Sequence, residues 1–247
     1  LIMHREALNL LNVYPVPDGD TGSNMTMTAE SVVAELDELD DPPAMGAVTA
    51  AISHGSLMGA RGNSGVILSQ VLRGLSGVFA DAETVDGRAL ADGLAAASSA
   101  AYAAVMSPVE GTILTVVRES ADAAVVAADS GADLLGVAEA ARMVGGESLA
   151  RTPDLLPILA DAGVVDAGGS GFLLFLDAVL TVIDGRPLPD PPELVATVGV
   201  ARPDDHSTDG PEGTRYEVMF FLDAPDGSIQ DFREAWAALG DSIVVVG

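Results

Sequence analysis

The 247-residue chain sets 37 acidic residues against 11 basic ones for a net charge of −26, with no cysteine and no lysine: all 11 bases are arginines. Hydrophobic residues at 49% and a mean hydropathy of +0.36 exclude a disordered acidic chain. Missing lysine excludes a Walker-type phosphate loop and Schiff-base chemistry, missing cysteine excludes disulfides, thiol nucleophiles and thiolate metal sites, and so acidic a surface repels nucleic-acid backbones.

Helical spacing dominates the first 185 residues. It predicts helices over 1–11, 24–37, 43–58, 63–78, 88–105, 110–128, 132–147, 153–161 and 169–184. The last is typical: Phe172, Phe175, Leu176, Val179, Leu180 and Ile183 recur at three- and four-residue steps along one face. Valine pairs such as Val116-Val117 lack the period-two alternation of a strand. Pro42-Pro43, Pro108 and Gly145-Gly146 punctuate the joins.

Composition then shifts. Pro187, Pro189, Pro191 and Pro192, with the polar run to Arg215, predict a linker over 186–214. Residues 215–247 read as strand (216–222), helix (228–239) and strand (242–246), the beginning of an α/β domain. One such unit cannot cover both faces of its own sheet, so the chain is expected to be a piece of a longer protein. The amino terminus has no basic region or cleavage site of a signal peptide, and Asp177 interrupts the longest apolar stretch. A cytoplasmic protein without a membrane span is expected.

The polar motifs sit where helices begin. In Asn12-Val13-Tyr14-Pro15-Val16-Pro17-Asp18-Gly19-Asp20-Thr21-Gly22-Ser23-Asn24, two prolines extend the approach and two glycines allow a tight loop. Asp18 and Asp20 offer two carboxylates to a hard cation; Mg²⁺ takes one or two and fills its shell with water and phosphate oxygens. The helix that follows offers amide groups to an anion. An Asp-Gly turn with a Ser or Asn cap would use the same residue types. A calcium-binding EF-hand is excluded, because its glycine and glutamate positions fall on Ser23 and Ala29.

Three further clusters precede helices: Gly59-Ala60-Arg61-Gly62-Asn63-Ser64-Gly65, Glu110-Gly111-Thr112, and Asp166-Ala167-Gly168-Gly169-Ser170-Gly171. Each alone is compatible with a turn, a cap or a hinge. Four glycine-bearing polar helix starts exceed what a helical bundle needs for its connections.

Taken in order, NVYPVPDGDTGSNM, SHGSLMGARGNSGVILSQ, SPVEGTILTVVRESADAA and DAGVVDAGGSGFLLF resemble the kinase domain of bacterial fatty acid kinases, within the DhaL-type dihydroxyacetone kinase family. The resemblance covers residues 1–185, and the tail is similar to the start of the middle domain that follows there. It implies a mainly α fold, an antiparallel eight-helix barrel followed by a partial α/β domain, with ATP or ADP across one rim and Mg²⁺ held by aspartates. By motif, Asp18 and Asp20 would be the catalytic metal ligands, with Asn12 near the place of a third aspartate. Thr21, Gly22, Ser23, Asn24, Asn63, Ser64 and Gly65 would wrap phosphate. Gly111 and Thr112 would lie toward the nucleoside, and Asp166, Ala167 and Gly168 would close the site.

The implied activity is phosphoryl transfer to a fatty acid carboxylate presented by a DegV-type binding protein. A homodimer through the middle domain is also implied. An ionised carboxylate needs no general base, which agrees with only three histidines. The alternatives are the nucleotide subunit of a dihydroxyacetone (glycerone) kinase, whose alcohol acceptor must lose a proton, and a non-catalytic nucleotide-binding regulatory module.

Overall fold

A computed structural model describes residues 1–192, 218–220, 222–239 and 242–246. After a short 3₁₀ turn at Ile2–His4 come α1 (Arg5–Leu11), α2 (Thr21–Asp37), α3 (Met45–Met58), α4 (Gly62–Phe79), α5 (Gly87–Ala104), α6 (Ile113–Asp129) and α7 (Leu134–Ala150). The short α8 (Thr152–Leu155) and α9 (Pro157–Ala162) lead into α10 (Ala167–Asp184), and α11 (Ile229–Ala237) lies in the tail. Every named element within residues 1–184 is a helix, as the periodicity predicts.

Local chemistry sets the boundaries. The side chains of Asp86, Asp133 and Asp166 accept from the backbone N–H groups of Ala89, Gly136 and Gly169 and so begin α5, α7 and α10. The single helix expected over 153–161 is two. Pro157 cannot donate and forces the residue before it out of helical geometry, and Leu156 is accordingly extended at φ −126°, ψ 100°. Residues 110–112 stay outside α6, because Glu110 is held by side-chain bonds and Gly111 has φ +84°.

Successive helices pack on one another from α1 to α7. Then α10 returns to touch α6, α7, α1 and α2, which closes the circuit. Phe172, Leu176 and Leu180 of α10, Val116 and Val117 of α6, Leu94 of α5, Val71 of α4 and Met25 of α2 fill the centre. By length and composition α10 is the one helix among the described residues that qualifies to cross a membrane. Here it is the core helix around which the others are arranged.

The partial α/β domain is not supported. Val218–Phe220 and Leu222 have no regular secondary structure and are exposed, while Tyr216, Glu217 and Phe221 lie outside the described residues. Phe220 packs on Phe232 and Trp236 of α11. In the second expected strand only Val244 pairs, in an isolated antiparallel bridge to Val105 after α5. The expected helix is present as α11. Of the expected linker, 193–214 lies outside the described residues, and Pro189 places its carbonyl oxygen 3.0 Å from Nε2 of His4.

Candidate functional site

The four polar clusters meet at one end of the bundle, and close backbone approach brings them there. A Cβ on Gly65, in the first turn of α4, would lie 2.5 Å from Thr28 Oγ1 of α2. One on Gly171, early in α10, would lie 2.5 Å from Met25 Sδ of α2. One on Gly168 would stand 3.1 Å from Cβ of Ile113, the first residue of α6. The starts of α4, α2, α10 and α6 thus form a continuous rim. Each contributes the positive end of its dipole.

The loop before α2 is fastened by asparagines. Asn12 Oδ1 accepts from both the backbone N–H and the hydroxyl of Thr21, and Asn12 Nδ2 donates to the Val16 carbonyl at 2.8 Å. Asn9, on α1, accepts from the Ser23 N–H at 3.0 Å and donates to its hydroxyl at 3.1 Å. Asn12 is buried, and both ends of its amide are bonded within the loop. The sequence alone does not mark Asn9. Its signal was a second Asn one turn before Asn12, visible only once α1 is known to end beside the loop.

This fastening has two consequences. The Thr21 and Ser23 amides, expected to wrap phosphate, are already bonded within the protein. Asp20, although it is the N-cap residue of α2, makes no side-chain cap bond, so its carboxylate is not consumed by the helix. Asp18 is exposed and Asp20 half-buried on the same loop. Among the described residues no three His, Cys, Asp or Glu side chains form a metal cluster. Two carboxylates on one loop are a donor set that fits Mg²⁺, which completes its shell with water and phosphate oxygens, and fits a closed all-protein cage poorly.

At the start of α4 three successive amides are left open. Its first intrahelical bond is Gly65 N–H to the Arg61 carbonyl at 3.0 Å, so the N–H groups of Gly62, Asn63 and Ser64 have no partner within the helix. Ser64 Oγ reaches Thr21 Oγ1 at 3.3 Å, which joins the α4 start to the aspartate loop. Asn63 Nδ2 donates to the Ser242 carbonyl at 3.2 Å, so the tail borders the same point. Gly65 itself is buried against α2 and has no free amide. Asn24 is buried in the first turn of α2, and its backbone N–H bonds to the Asp20 carbonyl at 2.8 Å.

Opposite, Asp166 is a cap. It is buried at 6% exposure and accepts from the Gly169 N–H at 2.7 Å and from the Gly168 and Ile113 amides. Burial pushes its carboxyl up to about 6 against the pull of those amides. Its own N–H donates to Thr152 Oγ1 at 3.1 Å. Ala167 and Gly168 are buried in the first turn of α10. Thr112 caps α6, and Gly111 lies against the α8–α9 corner, where a Cβ would sit 2.9 Å from Cβ of both Leu155 and Leu156. Burial alone would raise the Glu110 carboxyl. Bonds from Thr115, Arg118 and Tyr102 outweigh it and hold the group below its ordinary value.

The model of the family described as the DAK2 domain matches residues 15–181. DAK2 domains bind nucleotide and belong to a kinase family. Protein YloV of Bacillus subtilis is 38% identical over 256 residues, covering 100% of this chain and 46% of that protein. An uncharacterized protein of Staphylococcus saprophyticus is 39% identical over 251 residues, covering 98% of this chain and 45% of its own length. The chain spans about half the length of these curated relatives.

Proposed function

The chain belongs to the DAK2 domain family, and from that premise we propose that it transfers the γ-phosphoryl group of ATP to the carboxylate of a fatty acid, held by a DegV-type binding protein, to give an acyl phosphate. The observation that carries the phosphoryl-transfer part is the rim itself. The Gly62, Asn63 and Ser64 amides of α4 stand beside the Asp18 and Asp20 loop, tied to it through Ser64 and Thr21. In a chain of net charge −26, this rim of helix starts is where a polyanion and its counter-cation can be held together.

Each residue has a task in that reading. Asp18 and Asp20 hold the cation. When bound, Mg²⁺ supplies neutralisation of the phosphate oxygens. The α4 amides orient the phosphates, and Asn12 and Asn9 keep the loop in register. The acceptor oxygen bonds to the γ-phosphorus as the bond from that phosphorus to the ADP oxygen breaks, and the electron pair leaves with ADP. No proton moves, because the acceptor is ionised at neutral pH.

Both histidines among the described residues agree with this. His4 is engaged with the Pro189 carbonyl and His54 with Glu35, so neither stands on the rim as a base. Dihydroxyacetone, the acceptor named by the wider kinase family, would need one.

Two measurements test the reading. Calorimetric titration with ADP and Mg²⁺ should show metal-dependent binding. ATP-dependent formation of acyl phosphate, trapped with hydroxylamine, should occur with palmitate loaded on a DegV-type protein. Turnover of dihydroxyacetone with its substrate subunit, and none of the loaded palmitate, would move the function to the glycerone kinase reading.

A further inference from the structure

Arg61 is the cation that the rim leaves unspent. Most described arginines are paired with carboxylates: Arg5, Arg88, Arg118, Arg142, Arg151 and Arg186 each lie within ion-pair distance of an aspartate or glutamate, while Arg233, in the tail, donates to the Val245 carbonyl. Arg61 has no such partner among the described residues. Its side chain is exposed, and Nη1 donates to the Ala60 and Met58 carbonyls at 2.7 and 3.4 Å. Met58 is the last residue of α3, so the negative end of that helix steadies the guanidinium. Arg61 is also the N-cap residue of α4. Its charge therefore stands one residue before the three open amides, with Nε and Nη2 bonded to no other described residue.

We propose that Arg61 contacts the acceptor carboxylate, not the nucleotide, and is a catalytic residue of the transfer. This rests on the acyl-phosphate reading above. The nucleotide already has the α4 amides and the cation held by Asp18 and Asp20. The acceptor has neither, yet it must bring a second anion up to a triphosphate on an acidic protein. A guanidinium edge matches a carboxylate with two parallel hydrogen bonds, and Arg61 is fixed on one side only, with its other donors toward solvent. Met58, 47% exposed beside it, adds an apolar surface next to the charge, a combination suited to an acyl head group delivered from outside. In the step itself a carboxylate oxygen bonds to the γ-phosphorus and ADP leaves with the electron pair, while Arg61 keeps all its protons and offsets the acceptor's charge.

The test compares the parent protein with Arg61→Gln and Arg61→Lys in two assays: ADP·Mg²⁺ affinity by calorimetry, and acyl-phosphate formation from palmitate on a DegV-type carrier. Arg61→Gln should leave nucleotide affinity within about threefold while lowering the transfer rate by about 100-fold, the order seen when one preorganised donor is removed. Arg61→Lys should recover part of the rate, since charge returns without the fork. An unchanged rate in Arg61→Gln, or equal losses of rate and of nucleotide affinity, overturns the proposal. If the parent binds ADP·Mg²⁺ but phosphorylates only dihydroxyacetone, the acyl-phosphate reading is what has failed, and the role of Arg61 falls with it.

Discussion

The Asp166 carboxylate accepts from the amide of Ile113, the first residue of α6, as well as from Gly168 and Gly169 at the start of α10. One buried side chain therefore caps two helices and holds two of the four helix starts in register. Asp166→Ala leaves those buried amides without an acceptor and should cost about 2 kcal/mol of stability at pH 7. The charge is nevertheless held at a cost, since burial pushes this carboxyl from 3.8 to about 6. A raised carboxyl favours the native state most when protonated, so its contribution is full below the unfolded value and is lost as pH rises through about 6. Urea unfolding of the parent and of Asp166→Asn should show the parent gaining on the variant as pH falls from 7 to 4. A constant difference would contradict the buried-carboxyl assignment.

The aspartate loop behaves differently. Asp18 is exposed and Asp20 makes no cap bond, so Asp18→Asn and Asp20→Asn should each leave the melting temperature nearly unchanged. Both should weaken ADP·Mg²⁺ binding by more than the roughly 10- to 100-fold that follows loss of a metal's outer-shell partner. Asn12→Ala should show a mixed loss: about 1–2 kcal/mol of stability from the released Thr21 amide, and a smaller fall in affinity. Equal nucleotide affinity in all three variants would remove the cation from this loop.

The helices were legible because burial on one face leaves a periodic trace, as in the Phe172 to Ile183 stripe of α10. The aspartate loop was legible because its carboxylates, prolines and glycines are adjacent in the chain. What could not be read is tertiary. Nothing local says that Asn9 and Asn12 would occupy the Thr21 and Ser23 amides, or that α4 would keep three successive amides open. Among the described residues of the expected first strand, Val218–Phe220 and Leu222 are exposed and have no ladder partner, so the apolar, aromatic run that suggests a strand is not paired there. The break at Leu156 was written in Pro157 and lost beneath an otherwise helical spacing.

Gly65 separates packing from phosphate contact. Its amide belongs to the α4 ladder, and a Cβ there meets Thr28 Oγ1 at 2.5 Å. Gly65→Val should therefore lower stability by about 1–3 kcal/mol, the usual cost of overpacking, measured by chemical unfolding without ligand. Any loss of nucleotide affinity would follow from α4 moving off α2. Undiminished stability would mean that the two helices part more easily than their contact implies.

Glu110, at the same start of α6 that Asp166 caps, carries the opposite pH signature. It accepts from Thr115 Oγ1 at 2.7 Å, Arg118 Nη1 at 2.9 Å and the Tyr102 hydroxyl at 3.0 Å, and Thr115 Oγ1 in turn accepts from the Gly111 N–H at 2.8 Å. These bonds fasten the loop before α6, and they hold the Glu110 carboxyl below its ordinary value despite partial burial. A lowered carboxyl contributes stability above its unfolded value, and that contribution disappears as pH falls through the folded value. Glu110→Gln should thus be less stable than the parent at pH 7, by about 1 kcal/mol for one charge-assisted bond weakened at a partly exposed site. The gap should close below pH 4, where the Asp166→Asn gap is widest. Thermal melts of both variants across that range separate the two fastenings of the α6 start. A Glu110→Gln gap that persists in acid would mean that packing, and not the carboxylate, fastens this loop.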